Sequence, residues 1–167
     1  MTKYLTIVFL FLAACQLKAQ NEKLTPGALG IFYTPEMQMC GDSTNGFQTV
    51  QYYQFKGKNT KSSQQILSEW RTFFKKSPDF KESGFLTIRF ILNCNGEPRV
   101  HRFYEMDLDY QKKTFSDTLK AQVWAFVQQL GGFQKGIYTY QNKKYDVNYY
   151  YYFIFKIRDG EFETIAP

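Results

Sequence analysis

Hydrophobic and polar positions alternate most sharply between Gly84 and Met106, GFLTIRFILNCNGEPRVHRFYEM. Leu86, Ile88, Phe90 and Leu92 fall on one side of an extended chain and Phe85, Thr87, Arg89 and Ile91 on the other, the period of two that marks a strand. Asn93-Cys94-Asn95-Gly96 follows, with residue types that tolerate positive φ. The return run sets Val100, Arg102 and Tyr104 against His101 and Phe103. The stretch predicts a β-hairpin whose first strand is central to a sheet.

The period changes on either side of it. Beyond Ser62 or Ser63 as cap, Ile66, Leu67, Trp70, Phe73 and Phe74 form one stripe of an amphipathic helix, and Pro78 is expected to stop it. After a polar connection over 107–113, Thr114 with Asp117 resembles a capping box. It opens a helix with Phe115, Leu119, Val123, Phe126, Val127 and Leu130 on one face, closed by Gly131-Gly132. Residues 145–157 then alternate again, with Tyr145, Val147, Tyr149, Tyr151, Phe153, Phe155 and Ile157 opposite Asp146, Asn148, Tyr150, Tyr152, Ile154 and Lys156, a single long strand. Asp159-Gly160 turns the chain into a short tail.

The N-terminal part reads differently. Lys3 precedes an apolar run of about ten residues, the form of a secretory signal, and the run is too short for the roughly 20 residues of a membrane-spanning helix. Two processing sites are open: Leu12-Ala13-Ala14-Cys15 fits a lipobox with Cys15 lipidated, and Leu17-Lys18-Ala19 fits ordinary cleavage before Gln20. Residues 20–61 are rich in turn formers and predict an irregular arm, with Phe47 to Phe55 alternating as one additional edge strand. Residues 62–167 carry the helices and the hairpin, so the expectation is a signal segment, an arm and one α+β domain: an antiparallel sheet of three to four strands with two helices on one face.

Charge adds little to this picture. With 21 Lys and Arg against 15 Asp and Glu the formal charge is +6, falling to +5 without Lys3 and +4 without Lys18 as well. The charges are dispersed as on a solvated surface, and neither nucleic acid nor a membrane surface is expected as a partner, apart from the possible lipid on Cys15. Cysteine adds more. In an oxidising compartment Cys40 and Cys94 are expected to pair, tying the arm to the hairpin turn and stabilising by roughly 3–4 kcal/mol on chain-entropy grounds.

Candidate chemistry is sparse. His101 is the one histidine, read as a solvent-facing or rim side chain rather than a general base, and no nucleophile is placed to work with it. Glu105, Asp107 and Asp109 alternate but lack a calcium loop and read as a solvated connection. No catalytic residue, metal site or cofactor is therefore expected. What stands out is aromatic: Phe, Tyr and Trp make up 19% of the chain, and Tyr149 to Tyr152 are consecutive, which puts tyrosines on both faces of the last strand. Clustered exposed rings mark binding surfaces.

The order helix, hairpin, helix, strand over residues 62–167 resembles the C-terminal domains of TonB and, more loosely, TolA. The resemblance lies in Gly84 to Asn93 followed by Gly96, similar to the family's G-x-V-x-V-x-F-x-V-(D/N)-x-x-G hairpin. It continues in Leu108-Asp109, in Gly132-Phe133-Gln134-Lys135-Gly136, and in a closing aromatic strand with Phe153, Lys156 and Ile157. It implies the fold and a peptide- or protein-binding sheet edge. The uncleaved anchor and Pro-rich spacer of a true energy transducer are not expected here, so the force-transducing role is not implied.

The expected function is a non-enzymatic interaction module of the Gram-negative envelope, periplasmic or lipid-anchored, binding an envelope protein or peptide. The alternatives are a structural or accessory lipoprotein and a component of a TonB-type transport system; oligomeric state is left open. If binding occurs at a sheet edge, Asn148, Tyr150, Tyr152 and Ile154 of the last strand are the candidates, provided the Phe47 to Phe55 strand does not cap them.

Overall fold

Gly96 shows how the sequence sets the hairpin. Its φ is +82°, its N–H donates to Asn93 O at 2.9 Å, and the Asn93 side chain accepts from the Asn95 and Glu97 amides, so the four-residue turn closes on itself. In the computed structural model, which describes residues 39–40, 49–51, 53 and 59–167, this turn joins β2 (Gly84–Leu92) to β3 (Pro98–Met106). The strands pair antiparallel from Phe85 with Met106 to Leu92 with Pro98. Arg99 is an extra residue on β3, because Ile91 faces Val100 while Leu92 faces Pro98.

The other described elements are β1 (Thr49–Gln51), α1 (Ser63–Phe73), α2 (Asp117–Gln129), β4 (Ile137–Tyr140), β5 (Lys143–Asp146), β6 (Asn148–Arg158) and β7 (Glu161–Ala166). Five strands form one sheet in the order β1-β6-β2-β3, with β7 also on β6; β4 and β5 form a separate hairpin. The class is α+β, as expected, with one strand more than the three to four anticipated. β2 is central, flanked by β6 and β3 along its whole length.

Both helices cover one face. Leu86, Ile88, Phe90 and Leu92 of β2 and Tyr149, Tyr151, Phe153, Phe155 and Ile157 of β6 are buried there beneath Ile66 and Trp70 of α1 and Leu119, Val123, Phe126 and Val127 of α2. Trp70 is the hub. Its ring meets Phe126, Phe155 and Phe162 edge-on at centroid distances of 5.2, 5.2 and 4.9 Å, and each such side chain fully removed from water contributes about 1.5–3 kcal/mol.

Several boundaries differ from the sequence reading. Ser62 caps α1 as expected, in a full capping box with Gln65, but the helix ends at Phe73 rather than running to Pro78. Phe74 turns extended there so that its ring can stack on Trp70 and meet Phe80 and Phe162. Ser116, not Thr114, caps α2 through its hydroxyl on the Leu119 amide, and Phe115 is buried ahead of the helix. The long strand over 145–157 is broken at Val147: the residues before it belong to the β4–β5 hairpin and β6 begins at Asn148. The tail after Gly160 is a strand, β7, paired antiparallel with β6.

Of the arm, β1 is an edge strand as expected, pairing parallel with β6. The expected signal segment, Cys15 and most of the expected arm lie outside the described residues.

Candidate functional site

Asn148 was a candidate for an open edge only if the Phe47 to Phe55 strand left it uncapped, and β1 from that stretch pairs with it. It is fully buried: its Nδ2 donates to Cys40 O at 2.7 Å and its Oδ1 accepts from Cys40 N at 2.8 Å. The side-chain amide thus takes both backbone groups of Cys40, much as a neighbouring strand would. Cys40 is disulfide-bonded to Cys94, with 5.8 Å between Cα atoms, as expected. The arm is therefore fastened at once to the β2–β3 turn and to β6.

Tyr150 and Ile154 are likewise displaced from the edge by strand pairing. Thr49 to Gln51 run beside Asn148 to Tyr150, and β7 runs beside Ile154 to Arg158, so β6 is flanked on both sides at Asn148, Tyr150 and Ile154, and Tyr152 lies between the two flanking strands. Tyr150 is only 5% exposed and carries the Arg89 guanidinium 4.6 Å above its ring. Tyr152 and Ile154 are half-buried on the sheet face away from the helices. On the other face the phenol of Tyr149 donates to Gln134 O at 2.5 Å, and burial, with Tyr151 beside it, pushes its pKa well above the ordinary phenol range. These tyrosines hold the sheet together.

Among the described residues β3, like the shorter β1 and β7, has a sheet neighbour on one side only. Lys113 N donates to Glu105 O from outside the β2–β3 pair, so the backbone of Glu105 faces away from β2. By the two-residue period the N–H and C=O of Phe103 and His101 face the same way. The 107–113 turn folds back on the far end of the strand, where Met106 bridges Lys112. Asp107 builds that turn by accepting from the Asp109 and Gln111 amides, which is how one of the three alternating carboxylates is used.

A groove of about 320 Å³ runs between this edge and α2, lined by His101, Phe103, Glu105, Asp117, Lys120 and Trp124. His101 was read as pointing to solvent or to a rim. It lies on the helix side of the sheet and is half-buried, its ring stacked on Trp124 with centroids 4.1 Å apart. Burial there holds its imidazole below the usual histidine range. At the other end Lys120 lies 3.0 Å from Asp117 and 3.5 Å from Glu105, and the hydrogen bond to Asp117 raises its pKa. Glu105 also accepts from Phe115 N at 2.5 Å, joining β3 to the start of α2.

The groove was missed in the sequence because its residues come from two elements. Trp124 lies on α2 outside the apolar stripe of Leu119, Val123, Phe126 and Val127, and that off-stripe tryptophan was the available signal. Among the described residues no helix is long and apolar enough to cross a membrane. No family model matches the chain, and no curated protein or solved structure matches it either.

Proposed function

We propose that this chain is a non-enzymatic interaction module of a Gram-negative cell envelope, binding an extended segment of a partner protein along the edge of β3. The observation that carries the reading is the backbone of His101 and Phe103, turned away from β2 beside a groove lined with aromatic and charged side chains. An edge in this state adds a strand from another chain through main-chain hydrogen bonds, and side-chain pockets beside it supply selectivity. The hairpin's likeness to TonB C-terminal domains supports the same mode of binding, and the apolar leader supports a periplasmic or lipid-anchored location.

The test is a His101→Pro variant. It removes an outward-facing N–H without breaking a β2–β3 bond, which an edge strand tolerates. Cross-linked capture from envelope extracts should fall sharply while far-UV circular dichroism stays that of the parent. Capture unchanged in the folded variant would discard the β3 edge. The closed β6 edge is what a structural or accessory envelope protein would also show, and that second reading would then stand.

A further inference from the structure

The groove beside β3 is chemically asymmetric, and the asymmetry gives the pattern of the segment it fits. β3 and α2 run in opposite directions: Glu105 lies opposite Lys120, and His101 opposite Trp124. Toward the 101 end the wall is the flat His101–Trp124 stack, with Phe103 packed next to it. Toward the 105 end stand two carboxylates, Glu105 and Asp117, against the single ammonium of Lys120. The side chain of Asp117 is fully exposed, whereas those of Glu105 and Lys120 are 17% and 18% exposed. That end keeps one unbalanced negative charge, and its outermost bearer is Asp117.

A strand added to β3 would place alternate side chains over this groove, about 7 Å apart. The free run is short, because the 107–113 turn already occupies the edge at Glu105. Only two groove-facing positions are then available, one beside Trp124 and one beside Asp117. A flat apolar or aromatic side chain covers the His101–Trp124 stack with little loss of polar solvation. A Lys or Arg two residues away offsets the unbalanced carboxylate, and its long stem lies along Phe103.

We propose that the groove selects a short extended segment of a partner protein in which an aromatic or large apolar residue and a Lys or Arg are separated by one residue. Trp124 is the determinant of the first position and Asp117 of the second. This rests on the β3 edge being the binding edge.

The test is a random heptapeptide display against the full chain, its Asp117→Lys variant and its His101→Pro variant. Asp117 is the exposed first residue of α2, so its replacement leaves the core intact. The expected result is enrichment of aromatic-x-basic segments on the parent and a switch to Asp or Glu at the second position on Asp117→Lys. A synthetic segment of the parent pattern should bind that variant about tenfold more weakly, a difference of about 1.4 kcal/mol. Binders that are lost with His101→Pro but show no such pattern, or whose pattern does not change with Asp117→Lys, overturn this inference and leave the edge intact. Absence of binders, or binders indifferent to His101→Pro, overturns the edge reading itself.

Discussion

At Asn148 a buried amide does the work of a strand. Its Nδ2 and Oδ1 both bond to the backbone of Cys40, in a site largely shielded from water. Asn148→Ala would leave that N–H and C=O without partners, and a buried group left unsatisfied costs about 1–3 kcal/mol. Urea unfolding should show a loss of that size, and a variant with an unchanged midpoint would show that water replaces the amide at no cost. His101 makes a second prediction at this scale. Its folded pKa is depressed by burial, whereas in the unfolded chain it titrates near about 6.5. The unfolded state therefore binds the proton more readily, and the stability the neutral ring contributes is present above that value and lost as pH falls through the folded one. The stability difference between the parent and His101→Phe should shift toward the variant between about pH 7.5 and about pH 5. A difference independent of pH would mean that the ring titrates as in water.

Among the elements, β7 explains most of what the sequence concealed. Phe162 and Ile165 are both buried though three residues apart, which breaks the period of two. The structure reconciles them with a bulge: Ile157 faces Phe162 and Lys156 faces Thr164, leaving Glu163 as the extra residue. Glu163 is held by Lys156 at 2.6 Å and Arg158 at 2.8 Å, and these two cations lower its carboxyl pKa, Lys156 the more strongly. Deleting Glu163 would restore regular pairing with Phe162 and Ile165 still inward. The expected cost is only that of two exposed ion pairs, which water largely screens. Ile165→Ala should cost more, about 2–5 kcal/mol. Urea midpoints of the two variants decide it, and a deletion more damaging than the alanine would refute the bulge.

The same elements show why some parts were legible and others not. The β2–β3 hairpin and the apolar stripe of α2 could be read because every second, or every third and fourth, side chain obeys one period over nine or more residues. The disulfide could be read because, with the N-terminal segment read as an export signal, Cys40 and Cys94 are left to pair. The break at Val147 could not, since the alternation of 145–157 runs through it unbroken. It is made by distant backbone, with Val147 N bonded to Gly136 O and Asn148 clamped on Cys40. The candidate edge failed for a related reason: which flank of a strand is occupied depends on β1 and β7, whose own patterns are short or bulged.

On the scale of the molecule, β6 is the strand on which the sheet closes. It pairs with β1 from about a hundred residues earlier, with β2, and with β7 immediately after it. Nearly half of one core face, Tyr149 through Ile157, comes from this single segment. A chain ending at Asp146 would keep both helices and the β2–β3 hairpin but have nothing to bury them against, and isolated helices of 11 and 13 residues are marginal in water. Amide exchange in β2 should then be as fast as in an unfolded peptide; protection surviving there would show that the hairpin and helices make a core on their own. During synthesis, the strand that completes the sheet emerges after both helices and the β2–β3 hairpin. Until it does, the preceding residues have no stable native partner surface, so their folding is deferred until β6 has been made, leaving an interval in which the polypeptide can still be threaded through a narrow pore.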